Sequence, residues 1–186
     1  CLDLSDQTGL GARGVSMALD QLARDGMRCV IGSADAKLWE DRSLVDSLDL
    51  AVVKGFQSPK GPAQPPAPPE WFAGALARAE ALIPPDKLVV ALGMMGHAWR
   101  SGQPGLREIS YVEGITETAD HRGGVVFVPR AGALRLRYMD AVGRVNEAWL
   151  PDAAGLQNQL IRVDQGVGVA VWPSVPRTRR CGACST

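Results

Sequence analysis

The side chains able to do chemistry in this 186-residue chain fall into three small groups. The first sits in Cys1-Leu-Asp-Leu-Ser5, an apolar run that sets Asp3 two residues before Ser5. A carboxylate at the end of a buried strand can orient a substrate or take a proton, whereas a serine hydroxyl offers no acidic proton near neutral pH. Asp6 follows one residue later and would point elsewhere. The second group is acidic: Glu108, Glu113 and Glu117. Glu113 and Glu117 stand four apart, the spacing of one solvated helix face; the competing reading is a displaced general acid. The third group is aromatic. Trp39, Trp99 and Trp172 lie near the ends of apolar runs, with His97 and Asp140 as polar companions. An indole offers a flat apolar face to a sugar ring and keeps an N–H for hydrogen bonding. Core packing is the other reading of each, and for Trp71 and Trp149 it is the expectation; His97 reads first as a structural histidine.

Four cysteines complete the inventory. Cys1 and Cys29 fall in predicted core strands, where cysteine acts as a small hydrophobe. Cys181-Gly-Ala-Cys184 has the spacing of zinc and redox pairs, but a zinc site needs a second pair of ligands and a redox pair usually opens a helix. Near the end of a Pro- and Arg-containing tail, the two read as incidental, with a disulfide or a metal as the alternatives.

The elements that must position these residues are short apolar runs without period-two alternation, the pattern of parallel strands buried on both faces. They are Cys1–Ser5, Arg28–Ser33, Leu48–Val53, Leu88–Gly93 and Gly166–Trp172. A loop, Thr8–Gly14, precedes an amphipathic helix with Val15, Ala18, Leu19 and Leu22 on one face; a short helix is predicted from Asp41 to Ser47. Pro59, Pro62, Pro65, Pro66, Pro68 and Pro69 enforce a rigid loop until Pro69 starts a helix, which Pro84-Pro85 stops. That helix turns Trp71, Phe72, Ala75, Leu76, Ala79 and Leu82 toward the sheet. From Ser101 to Pro151 the rhythm breaks. A helix over Val112–Ala119, a strand over Gly124–Val128 and a hairpin of Leu134–Tyr138 with Arg144–Trp149 make a small β-containing insertion. A last helix starts at Asp152 and buries Leu156, Leu160 and Val163.

Such repeated βα units place chemistry at the strands' C-terminal ends. The domain is expected to span 1–173, with the insertion at about 101–151 and a flexible tail at 174–186 that holds Arg177, Arg179 and Arg180. Twenty basic and 20 acidic residues balance, which argues against nucleic acid as the main partner. No run approaches about 20 apolar residues, so no membrane contact is expected of this segment. A start at Cys within a strand reads as a segment of a longer protein, with barrel strands or further domains supplied elsewhere; without them, exposed edges and an apolar inner face favour association.

The order of elements resembles the C-terminal portion of the family-18 glycoside hydrolases, chitinase-like (β/α)8 TIM barrels. The nearest branch is the bacterial one fused to polysaccharide deacetylase and glycosyltransferase domains. Ile83-Pro-Pro-Asp-Lys-Leu-Val-Val-Ala-Leu-Gly93 followed by Gly96-His-Ala-Trp99 is similar to the family's seventh strand. Tyr138-Met-Asp140 to Trp149 is similar to the hairpin before the last helix, and Gly166–Trp172 to the eighth strand, whose Trp floors the sugar being cleaved. The chain would thus cover about strands four to eight. Three departures follow from the same resemblance. Asp3 matches the family's last strand-four aspartate, which orients the substrate's own N-acetyl group as nucleophile, but Ser5 stands where the acid glutamate belongs. Val53-Lys-Gly-Phe56 replaces Met-x-Tyr-Asp on strand six. Pro173-Ser-Val-Pro176 replaces a polar loop. The resemblance therefore implies a degenerate glycosidase that binds N-acetylglucosamine-containing polysaccharide through Trp172, Trp99, His97, Asp140 and Trp39, without metal or organic cofactor. The alternatives are an active glycosidase with a displaced acid and a structural or docking module of a larger cell-envelope protein. Family analogy implies export to the periplasm or cell envelope.

Overall fold

Valine, isoleucine and leucine crowd the short runs because a strand covered on both faces has no place for a solvated side chain. In the computed structural model, which describes residues 2–3, 21, 30–33, 36–57, 61–102 and 106–172, these runs form a parallel sheet. Its strands are β1 (Leu2–Asp3), β2 (Val30–Ser33), β3 (Leu50–Lys54), β4 (Leu88–Gly93) and β10 (Gly168–Trp172), in the order β1-β2-β3-β4-β10. Register is continuous across the sheet, with Asp3 opposite Gly32, Gly32 opposite Val52, and Trp172 opposite Gly93. The architecture is α/β, in keeping with the barrel portion expected.

Helices cover the outer face over β2, β3 and β4, while Val169 and Val171 of β10 stay exposed, so that run is not buried on both faces. A 3-10 turn (Ala36–Glu40) leads to Asp41, whose carboxylate accepts from the Ser43 and Leu44 amides and so starts α1 (Arg42–Ser47). Pro69 opens α2 (Pro69–Leu82) at a position that needs no N–H. The outer strand residues Ile31, Ala51, Val53, Leu88, Val90 and Leu92 pack there against Trp39, Leu44, Val45, Phe72, Leu76 and Ile83. The opposite, inner face carries Val52, Ala91, Ala170, Trp172, Phe56 and Met95.

A second, antiparallel sheet follows: β5 (Gly96–Arg100), β6 (Arg107–Ile109), β7 (Gly124–Val128), β8 (Ala133–Met139) and β9 (Val145–Pro151), in the order β6-β5-β9-β8-β7. It starts at Gly96, five residues before the expected insertion at Ser101, so His97 and Trp99 belong to this sheet and not to the end of β4. Gly96 permits the switch: a Cβ there would strike the Trp149 carbonyl oxygen and Leu150. Between β6 and β7 lies α3 (Tyr111–Asp120), closed by a reciprocal pair in which Ser110 accepts from the Glu113 amide while the Glu113 carboxylate accepts from the Ser110 amide. Asp152 caps α4 (Ala153–Leu160) as expected, but Leu160 is exposed; Leu156 and Val163 are the residues that reach the core. Leu160 is the last residue of the helix and faces solvent.

Candidate functional site

The inner end of β3 and β10 is the only place where the parallel sheet gathers aromatic and charged side chains among the described residues. Trp172 extends across the inner face until its benzo edge lies within contact of where a Cβ on Gly32 would stand, so glycine at that position leaves room for the indole. Phe56 fills the space over Gly93 and meets Trp172 at 6.2 Å between ring centroids. Lys54, 8% exposed, lays its ammonium 4.3 Å from the Trp172 centroid and 5.9 Å from that of Phe56. A cation over an indole face is held by the ring quadrupole, more firmly as water is excluded. The end of β3, Val53-Lys-Gly-Phe56, thus delivers a cation and an aromatic ring to this surface, and Trp172 remains half-buried beneath them.

Trp39 is not a strand-end platform. It is 2% exposed within the outer core, and its indole N–H has no hydrogen-bond partner among the described residues. The 3-10 turn swings it under α2, where apolar burial outweighs the unmade bond. His97 is fully buried, with neither ring nitrogen partnered among the described residues, and burial pulls its pKa from 6.5 down to about 4, so it is neutral at physiological pH. The hydrogen bonds expected of a structural histidine are therefore missing; its ring meets Trp99 edge-on at 6.1 Å. Trp99 is half-buried and donates its indole N–H to the Gly61 carbonyl at 3.0 Å, which seats it against the proline loop. Asp140 accepts from the Val142 and Arg144 amides and pairs with the Arg144 guanidinium at 2.9 Å. It shapes the β8–β9 turn, and these bonds, the Arg144 amide first, hold its carboxyl below the usual range. Five expected contacts therefore resolve into two half-exposed indoles, two buried rings and one turn residue.

The acidic residues of the insertion are occupied as well. Alternate residues of β5, β8 and β9 (Ala98, Leu136, Ala148 and Leu150) form a small core with Ile109 and Ile115 under α3, and the register puts His97, Arg135, Glu147 and Trp149 on the other face. Glu117 belongs to the α3 side, where it binds Arg107 and accepts the Tyr138 hydroxyl. The Ser110 amide and hydroxyl hold Glu113 below the usual carboxylate range. Glu108 is exposed and pairs in register with His97. On the other face, Glu147 binds Arg135 through both oxygens, at 3.1 and 2.9 Å, and accepts from the Trp149 indole at 3.2 Å. This trio was not anticipated; arginines alternating on β8 with a glutamate on the partner strand are its signal.

Asp3 enters only through its backbone, paired with Gly32 in register. Ser5, Asp6, the four cysteines, the Val15–Leu22 helix and the 174–186 tail lie outside the described residues. Among the described residues no three His, Cys, Asp or Glu side chains come together as a metal site, and no helix is long and apolar enough to cross a membrane. A cavity of about 520 Å³ opens between α2, α4 and the β7–β8 turn, lined by Pro69, Phe72, Pro129, Asn158 and Arg162; neither Trp172 nor Trp99 borders it.

No protein-family model matches the chain, and no curated protein does. Solved structures do. The spore cortex-lytic enzyme SleL of Bacillus megaterium superposes with a TM-score of 0.71 and 18% identity, over 87% of this chain and 41% of that one. A chitinase from Chromobacterium violaceum gives 0.70 and 17%, over 87% and 55%. A class V chitinase from Nicotiana tobaccum gives 0.61 and 16%, over 92% and 63%. The chain spans about half the length of these structures. Over the part it spans, it has the fold of the family-18, chitinase-like glycosidase barrels.

Proposed function

We propose that this domain is a chitinase-like glycosidase fold that has given up hydrolysis and holds N-acetylglucosamine-containing polysaccharide. The observation that carries the reading is the Lys54 ammonium 4.3 Å from the Trp172 centroid, followed by Gly55 and Phe56. In the family this chain resembles, that strand end supplies the polar groups that steady an acetamido substituent. Lys54 and Phe56 bring neither the carboxylate nor the phenolic hydroxyl that would steady charge developing on the sugar during cleavage. Ser5 at the acid position supports the same conclusion, since no side chain there can protonate a leaving oxygen. Sugar holding is supported by the half-buried Trp172 ring and by a relative: the class V chitinase of Nicotiana tobaccum, 17% identical at a TM-score of 0.62, is solved in complex with NAG4. The displaced-acid reading is weaker, because a general acid needs a raised pKa and Glu113 has a lowered one, while Glu117 is committed to Arg107 and Tyr138.

The test is turnover of a fluorogenic chitobioside by the protein beside Ser5→Glu, with calorimetric titration of chitotetraose into the protein and Trp172→Ala. No turnover in either and binding lost in Trp172→Ala are expected. Turnover by the unaltered protein would sink the degenerate reading. Absent binding would remove the sugar and leave a structural module.

A further inference from the structure

The edge of the antiparallel sheet carries an interaction surface independent of the sugar reading. Among the described residues strand β7 pairs only with β8, so its other side presents N–H and C=O groups that no described strand pairs. Its apolar residues do not turn inward: Val125, Val126 and Phe127 are 44%, 61% and 38% exposed. Register with β8 runs unbroken from Gly124 opposite Arg137 to Val128 opposite Ala133, so no bulge twists the edge away. No charged residue and no proline lies between Gly124 and Val128. Neither charge, proline nor bulge protects this edge among the described residues.

Charge brackets this edge. Arg122 precedes it, with a backbone φ of 50°, Arg130 follows it, and Arg137 stands across from Gly124, which has no side chain to block its reach. All three are exposed, and none makes an ion pair among the described residues. We propose that β7 docks an extended segment of a partner protein by strand addition, a segment apolar at alternate positions and bearing carboxylates at both ends. Main-chain bonds to β7 would supply affinity, Val126 and its neighbours the side-chain contacts, and the arginines the register. A second copy of this chain fits less well. Two-fold pairing centred on Val126 sets Arg122 against Arg130 at both ends, and like charges directly opposite are destabilising.

The probe is a labelled Asp-Thr-Val-Thr-Val-Thr-Asp peptide, followed by fluorescence anisotropy with the protein, beside the same peptide with lysine at both ends. Saturable binding is expected, at least about 10-fold tighter for the acidic peptide at low salt and converging with its partner at high salt. Val126→Asp should abolish it with circular dichroism unchanged. Joint Arg122→Glu and Arg130→Glu should reverse the preference. Equal binding of both peptides, or none at millimolar concentration, would overturn the proposal. So would sedimentation showing dimers that exclude the peptide, which would give the edge to a second copy.

Discussion

The two sheets reach stability by opposite routes. The parallel sheet is apolar on its outer face and filled by Trp172, Phe56 and Lys54 within; among the described residues Ser33 and Lys54 are its buried polar ones. The antiparallel sheet has a small apolar core under α3 and is otherwise tied by specific polar links: Arg135–Glu147–Trp149 on one face, Arg107–Glu117–Tyr138 on the other, Asp140–Arg144 at the turn. Carboxylates of the second sheet hold its geometry, whereas the inner face of the first is built from aromatic rings and the Lys54 ammonium over Trp172.

Core truncation tests whether the two behave as one. Trp39→Ala and Leu150→Ala remove side chains 2% and 0% exposed, one from each core. Each should cost about 3–5 kcal/mol, read from urea unfolding. A single transition shifted by either is expected, because Ala63 packs with the second sheet and Ala67 with the first in one proline-bound segment. Two transitions, each moved by one variant, would break the comparison into separate units.

Acid should fall on the second sheet. His97 takes a proton near pH 6.5 when unfolded but only near 4 when folded, so between these values the unfolded state binds more protons. Stability should be flat above pH 6.5 and decline by about 3 kcal/mol down to pH 4. His97→Phe should flatten that part of the profile; an unchanged slope would assign it to other groups. A smaller loss, about 1–3 kcal/mol, is expected for Gly96→Ala, whose methyl must push β5 away from Trp149 and Leu150. The smallest is Tyr138→Phe, about 1 kcal/mol, for the hydroxyl that Glu117 accepts. Burial, then Glu117, raises the pKa of Tyr138 from 10 to about 12, so its own contribution should be lost as pH climbs from 10 to 12, and the variant should lack that alkaline decline.

Much of the fold was legible because its strands are short, apolar and punctuated. Leu88–Gly93 and Leu50–Lys54 appear almost as read, and so do the helix opened by Pro69 and the hairpin around Gly143. The site was less legible, since burial depends on what a turn places beside a residue. Trp39 reads as a strand-end aromatic until the 3-10 turn rotates it inward. His97 and Trp99 read as the end of β4 because nothing in Met94-Met95 marks a change of sheet; only the clash a Cβ on Gly96 would cause reveals it. Asp140 was within reach of sequence reasoning: an aspartate three residues before Gly143 is an Asx-turn pattern before it is a ligand.

The segment from Gly61 to Pro69 has a consequence for the unfolded chain. It accepts the Trp99 indole at Gly61, the Gln57 amide at Pro66 and the Gln159 amide at Ala67, and so touches both sheets. A connection of this length would ordinarily surrender much conformational entropy on ordering. Pro62, Pro65, Pro66, Pro68 and Pro69 have already surrendered it, because each ring fixes φ before folding begins. At roughly 0.4–1 kcal/mol for each compatible proline, the strap that joins the two sheets gains stability of a few kcal/mol through the freedom denied to its unfolded state.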